Sequence, residues 1–313
     1  MQPSLADGPA RRSGSIYTKH RTSAASKTGS NFAVENWPTT LILSIFSCQI
    51  RIIMMASLRE RFRNGFSRLA LPMVDLLSPP RCACCGKELT PNDLGANRLF
   101  FCGECRTSMF HDEWNRCRLC GGAIFNQEKE LCLRCVQACV KPPHFDRVIP
   151  LGVYADTLRA CVLRMKSPKG FKLAAMIAEA YCVYRAESLQ KYRPDLVAPV
   201  PMHWLHRLWR QTNSPETMAR QIARRLGVYL EVPLLVRCKR TKPQHELSYK
   251  GRLRNVENAF LVRKGYDLSG ARVLLIDDIL TTGATANEAA KILKKAGAAE
   301  VVVGVVAKTE MVS

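Results

Sequence analysis

From residue 143 onward, short apolar runs alternate with stretches whose apolar positions recur every three to four residues. The runs predict strands at 147–154, 195–201, 272–277 and 300–307. The periodic stretches predict helices at 157–165, 172–189, 216–226 and 286–296. Gly227 stands where the third of these helices should end. Alternation of strand and helix predicts a parallel sheet covered on both faces. The run Val273, Leu274, Leu275, Ile276 contains no polar position, as a strand buried on both sides requires. Ligands of such sheets collect at the carboxyl ends of the strands.

The first 75 residues follow another pattern. Residues 1–40 show no hydrophobic period and carry only Asp7 and Glu35 as acids, so they read as disordered. Residues 41–56 are more apolar, but Gln49 and Arg51 interrupt them, and they are shorter than the ~20 residues that span a bilayer. A secretory signal places its apolar core nearer the start. Leu58, Phe62, Phe66 and Leu69 predict a short amphipathic helix over 56–75, immediately after Met54 and Met55. The expectation is that residues 1–55 are a leader ahead of the true start; a basic, acid-poor transit peptide is the alternative. Without an export signal, the expected location is the cytoplasm, with no membrane span.

Composition fits a globular chain of about two domains. It is 47% hydrophobic and 23% charged, which excludes a wholly disordered protein, a collagen and a coiled coil. The formal net charge of +21 points to polyanionic partners such as nucleic acid or phosphorylated metabolites.

Eight of the 14 cysteines form four Cys-x-x-Cys pairs: Cys82 and Cys85, Cys102 and Cys105, Cys117 and Cys120, Cys132 and Cys135. Two such turns complete a tetrahedral zinc site of four thiolates. Gly86 and Gly121 follow the first and third pairs, as tight turns favour. The segment 76–142 therefore reads as two structural zinc ribbons in series, followed by a second domain at 143–313. A four-thiolate site has no open position for water and is structural rather than catalytic. Cys84 and Cys139 lie beside the pairs and are read as non-ligands, with substitution for a paired cysteine as the alternative. Cys161, Cys182 and Cys238 are expected to be buried small hydrophobes. His111 and His144 are read as surface residues.

The strand at 272–277 ends in Asp277 and Asp278; Ile279 and Leu280 follow, then Thr281, Thr282, Gly283, Ala284 and Thr285 at the start of a helix. A hydroxyl- and glycine-rich turn at a helix N-terminus offers free N–H groups and a favourable dipole to a phosphate. Two adjacent acids can accept hydrogen bonds from vicinal hydroxyls or hold Mg²⁺. Phosphate beside a diol describes a ribose 5-phosphate.

The 13 residues from Val273 to Thr285 resemble the phosphoribosyl pyrophosphate motif of type I phosphoribosyltransferases at every position. Upstream, Arg240, Thr241, Gln244, Leu247, Arg252, Asn255, Val256, Ala259 and Phe260 resemble the flexible basic segment of the competence protein F (ComF/GntX-like) family. The cysteine pairs and Pro199, Val200, Pro201 resemble the same family, in matching order over residues 76–308. The resemblance implies a type I phosphoribosyltransferase-like α/β sheet behind a double zinc ribbon. It implies phosphoribosyl pyrophosphate with Mg²⁺ as ligand, Asp277 and Asp278 on the ribose, and residues 281–285 on the 5-phosphate. Arg207, Arg210, Lys239 and Arg240 are the candidates to neutralise diphosphate. It also implies a link to DNA uptake and natural transformation. One stretch departs: where the family shows Arg-Gly-Phe-Asn-Gln, this chain has Arg210, Gln211, Thr212, Asn213, Ser214, and only the Arg and the Asn remain.

Residues 203–264 carry 14 Lys/Arg against four Asp/Glu, interleaved with Trp204, Trp209 and Tyr249. Such a surface suits single-stranded DNA through backbone contacts and stacking, or is simply solvated. Two readings stand: a phosphoribosyltransferase with an unidentified acceptor, and a non-catalytic ligand sensor that engages single-stranded DNA or DNA-processing proteins.

Overall fold

The computed structural model describes residues 79–94, 99–110, 115–124, 128–137, 142–201, 213–239 and 249–309. The leader and the helix expected at 56–75 lie outside these residues. So do Cys48, Cys139, His111, Trp204, Trp209, Arg207, Arg210 and Arg240.

The cysteine-rich segment holds three short helices, α1 (Pro91–Leu94), α2 (Gly103–Phe110) and α3 (Leu133–Gln137). It also holds an antiparallel strand pair, β1 (Asn115–Arg116) and β2 (Ala123–Ile124). Strand β3 (Arg147–Val153) then opens the sheet, followed by α4 (Asp156–Met165), α5 (Phe171–Tyr184) and α6 (Ala186–Tyr192). Next come β4 (Leu196–Pro199), α7 (Ser214–Leu226), β5 (Tyr229–Leu230), β6 (Leu235–Arg237), α8 (Tyr249–Val256) and β7 (Phe260–Val262). The chain continues as β8 (Arg272–Leu280), α9 (Ala284–Lys295) and β9 (Glu300–Lys308). The main sheet is five-stranded and parallel, in the order β3-β9-β8-β4-β5. Strands β6 and β7 form a separate antiparallel hairpin.

The two central strands show why their sequences read as continuous apolar runs. On β9, Val302 and Val306 enter the core under α4, α5 and α7, while Val301, Val303 and Val305 enter the core under α9. On β8, Leu274 and Ile276 face the first core, and Val273 and Leu275 the second. Alternation survives, but both alternating faces are buried. Gly304 is required between them: a Cβ there would lie 2.7 Å from the Tyr181 hydroxyl and 2.9 Å from Ile276. That hydroxyl donates to the Ile149 carbonyl at 2.9 Å, so burial of Tyr181 leaves no unpaired donor.

The helix expected at 172–189 is two helices. The break falls at Arg185, whose backbone has φ −115° and ψ 18°. Its buried guanidinium donates to the carbonyls of Pro150 and Leu151, both at 2.7 Å, and so anchors β3. Gly227 caps α7 at φ +69°, as expected.

The first ribbon shares the core of the sheet rather than having its own. Cys82, Leu89, Leu99, Phe101, Met109 and Phe110 belong to one buried cluster with Leu158, Val162, Ile177 and Val302. Gly152 on β3 lets the end of α2 approach closely; a Cβ there would sit 2.4 Å from the Met109 carbonyl oxygen. Among the described residues, no helix is long and apolar enough to cross a membrane.

Candidate functional site

The four Cys-x-x-Cys pairs close into two sets of four: Cys82, Cys85, Cys102, Cys105 and Cys117, Cys120, Cys132, Cys135, with all sulfurs of a set within 4.8 Å of one another. The Sγ atoms of Cys85 and Cys102 are 3.7 Å apart, as are those of Cys120 and Cys132. A tetrahedron with Zn–S of ~2.3 Å has an edge of ~3.8 Å, so the donors fit zinc in both type and spacing. The knuckle turns carry Gly86 at φ +80° and Gly121 at φ +69°. Backbone N–H groups point at the sulfurs: Cys102 N–H donates to Cys82 Sγ, and Gly122 N–H to Cys120 Sγ, both at 3.4 Å. Burial raises the Cys82 thiol, but the backbone N–H groups of Cys102, Cys85 and Cys84 together outweigh it and draw the group down to about 7. Zinc would supply a structural cross-link here, and the eight sulfurs would hold it.

Cys84 stands outside both sets; its sulfur lies 3.2 Å from that of Cys161 on α4. Cys161 and Cys182 are buried as expected, whereas Cys238 is exposed, because it follows β6 on the open side of a two-stranded hairpin. His144 is exposed.

The second site lies at the carboxyl edge of the sheet. Strand β8 runs three residues further than expected, through Asp277 and Asp278 to Leu280, because the backbone of Asp277, Ile279 and Leu280 remains in register with β9. The chain then turns through Thr281 and Thr282 to Gly283, at φ +77°, which caps α9. Helix α9 thus begins two residues earlier than the pattern suggested. The Thr282 hydroxyl accepts from the Ala284 N–H at 3.3 Å and shapes the turn. Lys308, buried at the end of β9, donates from Nζ to the Thr281 carbonyl at 3.4 Å and supports the turn from beneath. Phe145 lies under Gly283, 3.7 Å from where a Cβ would be. At the neighbouring strand end, Val200 N–H bonds the Ile276 carbonyl at 2.8 Å, which places Pro199, Val200 and Pro201 beside the acids.

Electrostatically the two acids differ. The Asp277 side chain is partly buried and accepts the Asp278 N–H at 2.8 Å. Burial, and then the charge of Asp278, push its carboxyl up to about 7; Lys166 and Arg237 pull the other way. Asp278 is paired directly with Lys166, Nζ to Oδ2, at 2.9 Å. The pair of acids is thus short of positive charge, and hard carboxylate oxygens in that condition fit Mg²⁺.

Of the diphosphate candidates, Lys239 is exposed and donates to the Glu257 carbonyl at 3.4 Å. That contact lies beside β6 and β7, whose Arg237 acts on Asp277. The sequence reading missed Lys166, Lys308 and Arg237. Arg237 lies 5.5 Å above the Phe260 ring and is held there across the hairpin. Lys308 carried a signal, a single cation ending a seven-residue apolar run; Lys166 carried none, being 112 positions from its partner.

Two family profiles match this chain: the double zinc ribbon domain over residues 73–136 and the phosphoribosyl transferase domain over residues 213–310. The DNA utilization protein YhgH of Salmonella typhimurium is 30% identical over 225 residues, covering 66% of this chain and 96% of that protein. Competence protein F of Haemophilus influenzae is 28% identical, covering 59% of this chain and 81% of that protein. Among solved structures, a purine phosphoribosyltransferase from Pyrococcus horikoshii Ot3 is 24% identical over 41% of this chain and 71% of that one, with a TM-score of 0.27.

Proposed function

The chain belongs to the competence protein F family, and on that premise we propose that it binds phosphoribosyl pyrophosphate with Mg²⁺ at the β8–α9 turn and transfers the phosphoribosyl group to an unidentified acceptor, in a process linked to DNA uptake. The observation that carries this reading is the placement of Asp277 and Asp278 one turn before a glycine-capped helix N-terminus at the sheet's carboxyl edge. The acids are set to receive the vicinal hydroxyls of a ribose. Residues 281–285 are set to receive its 5-phosphate with backbone N–H groups and hydroxyls.

Mg²⁺ would supply charge neutralisation between the diphosphate and the ribose oxygens. The protein's own share is positioning. The turn holds the sugar by its phosphate while the acids fix its hydroxyls, which leaves C1 facing the carboxyl end of β4. Positive charge building on the ribose ring as the C1–oxygen bond lengthens is favoured by two carboxylates nearby. The names of the relatives, DNA utilization protein and competence protein, support DNA uptake and use as the process served.

One observation favours a second reading, that of a non-catalytic sensor: Gln211, Thr212 and Ser214 replace family residues on the stretch expected to meet pyrophosphate. Titration calorimetry with phosphoribosyl pyrophosphate and Mg²⁺ tests the shared premise. The wild-type protein binds, and the variant Asp277→Asn/Asp278→Asn does not, while both retain two zinc ions. Pyrophosphate release on addition of nucleobases or other nitrogen nucleophiles then selects the enzyme. Salt-dependent binding of single-stranded DNA without release selects the sensor.

A further inference from the structure

We infer that Lys166 is the mobile counter-charge of this site: it neutralises Asp278 before ligand arrives and moves to the diphosphate when a metal-bound sugar diphosphate takes its place at the acids. The inference deepens the reading proposed above and rests on it.

Three observations carry it. First, the Lys166 ammonium is 2.9 Å from Asp278 Oδ2, with 29% and 18% of the two side chains exposed, so the pair is partly desolvated and not a surface contact. Second, the backbone that presents it is fixed. Lys166 ends α4 and donates its N–H to the Leu163 carbonyl at 3.2 Å. Ser167 returns to the Arg164 carbonyl through N–H at 3.1 Å and Oγ at 2.7 Å. Gly170 closes the turn, where a Cβ would lie 2.3 Å from the Met165 carbonyl oxygen. Motion is left to the four-carbon stem alone. Third, the residue before it, Met165, accepts the buried Ser214 hydroxyl at 2.9 Å. Ser214 opens α7. The turn that presents Lys166 is therefore tied both to the acids, through Asp278, and to the start of α7, through Met165.

The chemistry suits the role. A Lys ammonium is a compact charge with three donors on a flexible stem and can exchange a carboxylate for a phosphate oxygen without moving the backbone. A divalent cation competes with it for Asp278; a diphosphate recruits it. Opposite signs follow for the two ligands.

The test uses the full, zinc-loaded chain with Lys166→Met and, as the charge-preserving control, Lys166→Arg. Mn²⁺ alone is titrated and read by electron paramagnetic resonance. Phosphoribosyl pyrophosphate with Mg²⁺ is titrated by calorimetry. Lys166→Met is expected to bind Mn²⁺ about tenfold more tightly than the wild type and the sugar diphosphate about tenfold more weakly, the size of one partly screened unit charge. Lys166→Arg should stay close to the wild type in the Mn²⁺ arm. A misfolded variant would weaken both arms and lose zinc. No gain in Mn²⁺ affinity overturns the inference, as does undiminished binding of the sugar diphosphate by Lys166→Met. If the wild type itself ignores the sugar diphosphate, the ligand reading of the turn fails; the Mn²⁺ arm still decides whether Lys166 guards the acids.

Discussion

Replacing Phe110 by Ala should destabilise the sheet and not merely loosen the ribbon. Phe110 is the last residue of α2, on the cysteine-rich segment, and is 3% exposed. Its ring meets Phe101 edge-on at 5.7 Å and Tyr184 of α5 at 4.5 Å. The next residue inward, Met109, packs its backbone against Gly152 of β3, so the neighbourhood has little room to collapse into the space left. Truncating a buried Phe costs about 3–5 kcal/mol, and poor collapse favours the upper half of that range. A domain is commonly stable by about 5–15 kcal/mol, so this is a large fraction of the total. With a urea dependence of about 3 kcal/mol per molar, a loss of about 4 kcal/mol moves the midpoint down by about 1.3 M. The assay follows helix content by circular dichroism at 222 nm and zinc release with a chromogenic chelator in the same samples. Both midpoints should fall together. A variant that releases zinc early while its helix signal melts within about 0.2 M of the wild type would refute the shared core.

The two zinc sites should differ for the same reason. Cys102→Ser, in the ribbon that enters the sheet's core, is expected to lower the global urea midpoint, whereas Cys132→Ser, whose ribbon places none of its described residues in either large buried cluster, is expected to lose one zinc with a smaller shift. At the opposite edge of the sheet, burial acts to raise the Asp195 carboxyl, but Arg272, donating from its side chain and backbone, overcomes this and holds it below the usual carboxylate range. The unfolded chain binds that proton more tightly, so the pair stabilises the fold at neutral pH and stops doing so as pH falls below the ordinary carboxylate value. The stability gap between the wild type and Asp195→Asn, measured by urea, should therefore be open at pH 7 and narrow as pH falls through and below the ordinary carboxylate value.

Pairing of the ribbon with the sheet gives the two sites a physical connection. Helix α4 touches the first zinc knuckle through Cys161, beside Cys84, and ends at Lys166, beside Asp278. The Arg164 guanidinium between them donates to the Cys84 carbonyl at 2.5 Å. One ten-residue helix therefore spans from the cross-linked ribbon to the acids of the candidate binding turn. A ribbon that only stabilised itself would need no such contact.

Much of this molecule was legible because its chemistry is local. Cys-x-x-Cys spacing alone brings two sulfurs to one side of a metal, and the four pairs closed as their order suggested. Strands β8 and β9 stood out because they are buried on both faces and so lack polar positions. Asp277, Asp278 and the turn to Gly283 are contiguous, so the β8–α9 site could be drawn without knowing the sheet. Strands β5, β6 and β7, two or three residues each, are too short to carry a period and exist only because neighbours supply their hydrogen bonds. The break at Arg185 was decided by carbonyls of β3, 34 and 35 residues away, which a buried guanidinium must satisfy. Lys166 meets Asp278 only once β8 and α4 have packed across the same sheet face. Sequence fixes what neighbours along the chain can do by themselves; which distant charge a buried carboxylate finds is settled by burial, because only there does an unpaired charge cost enough to select its partner.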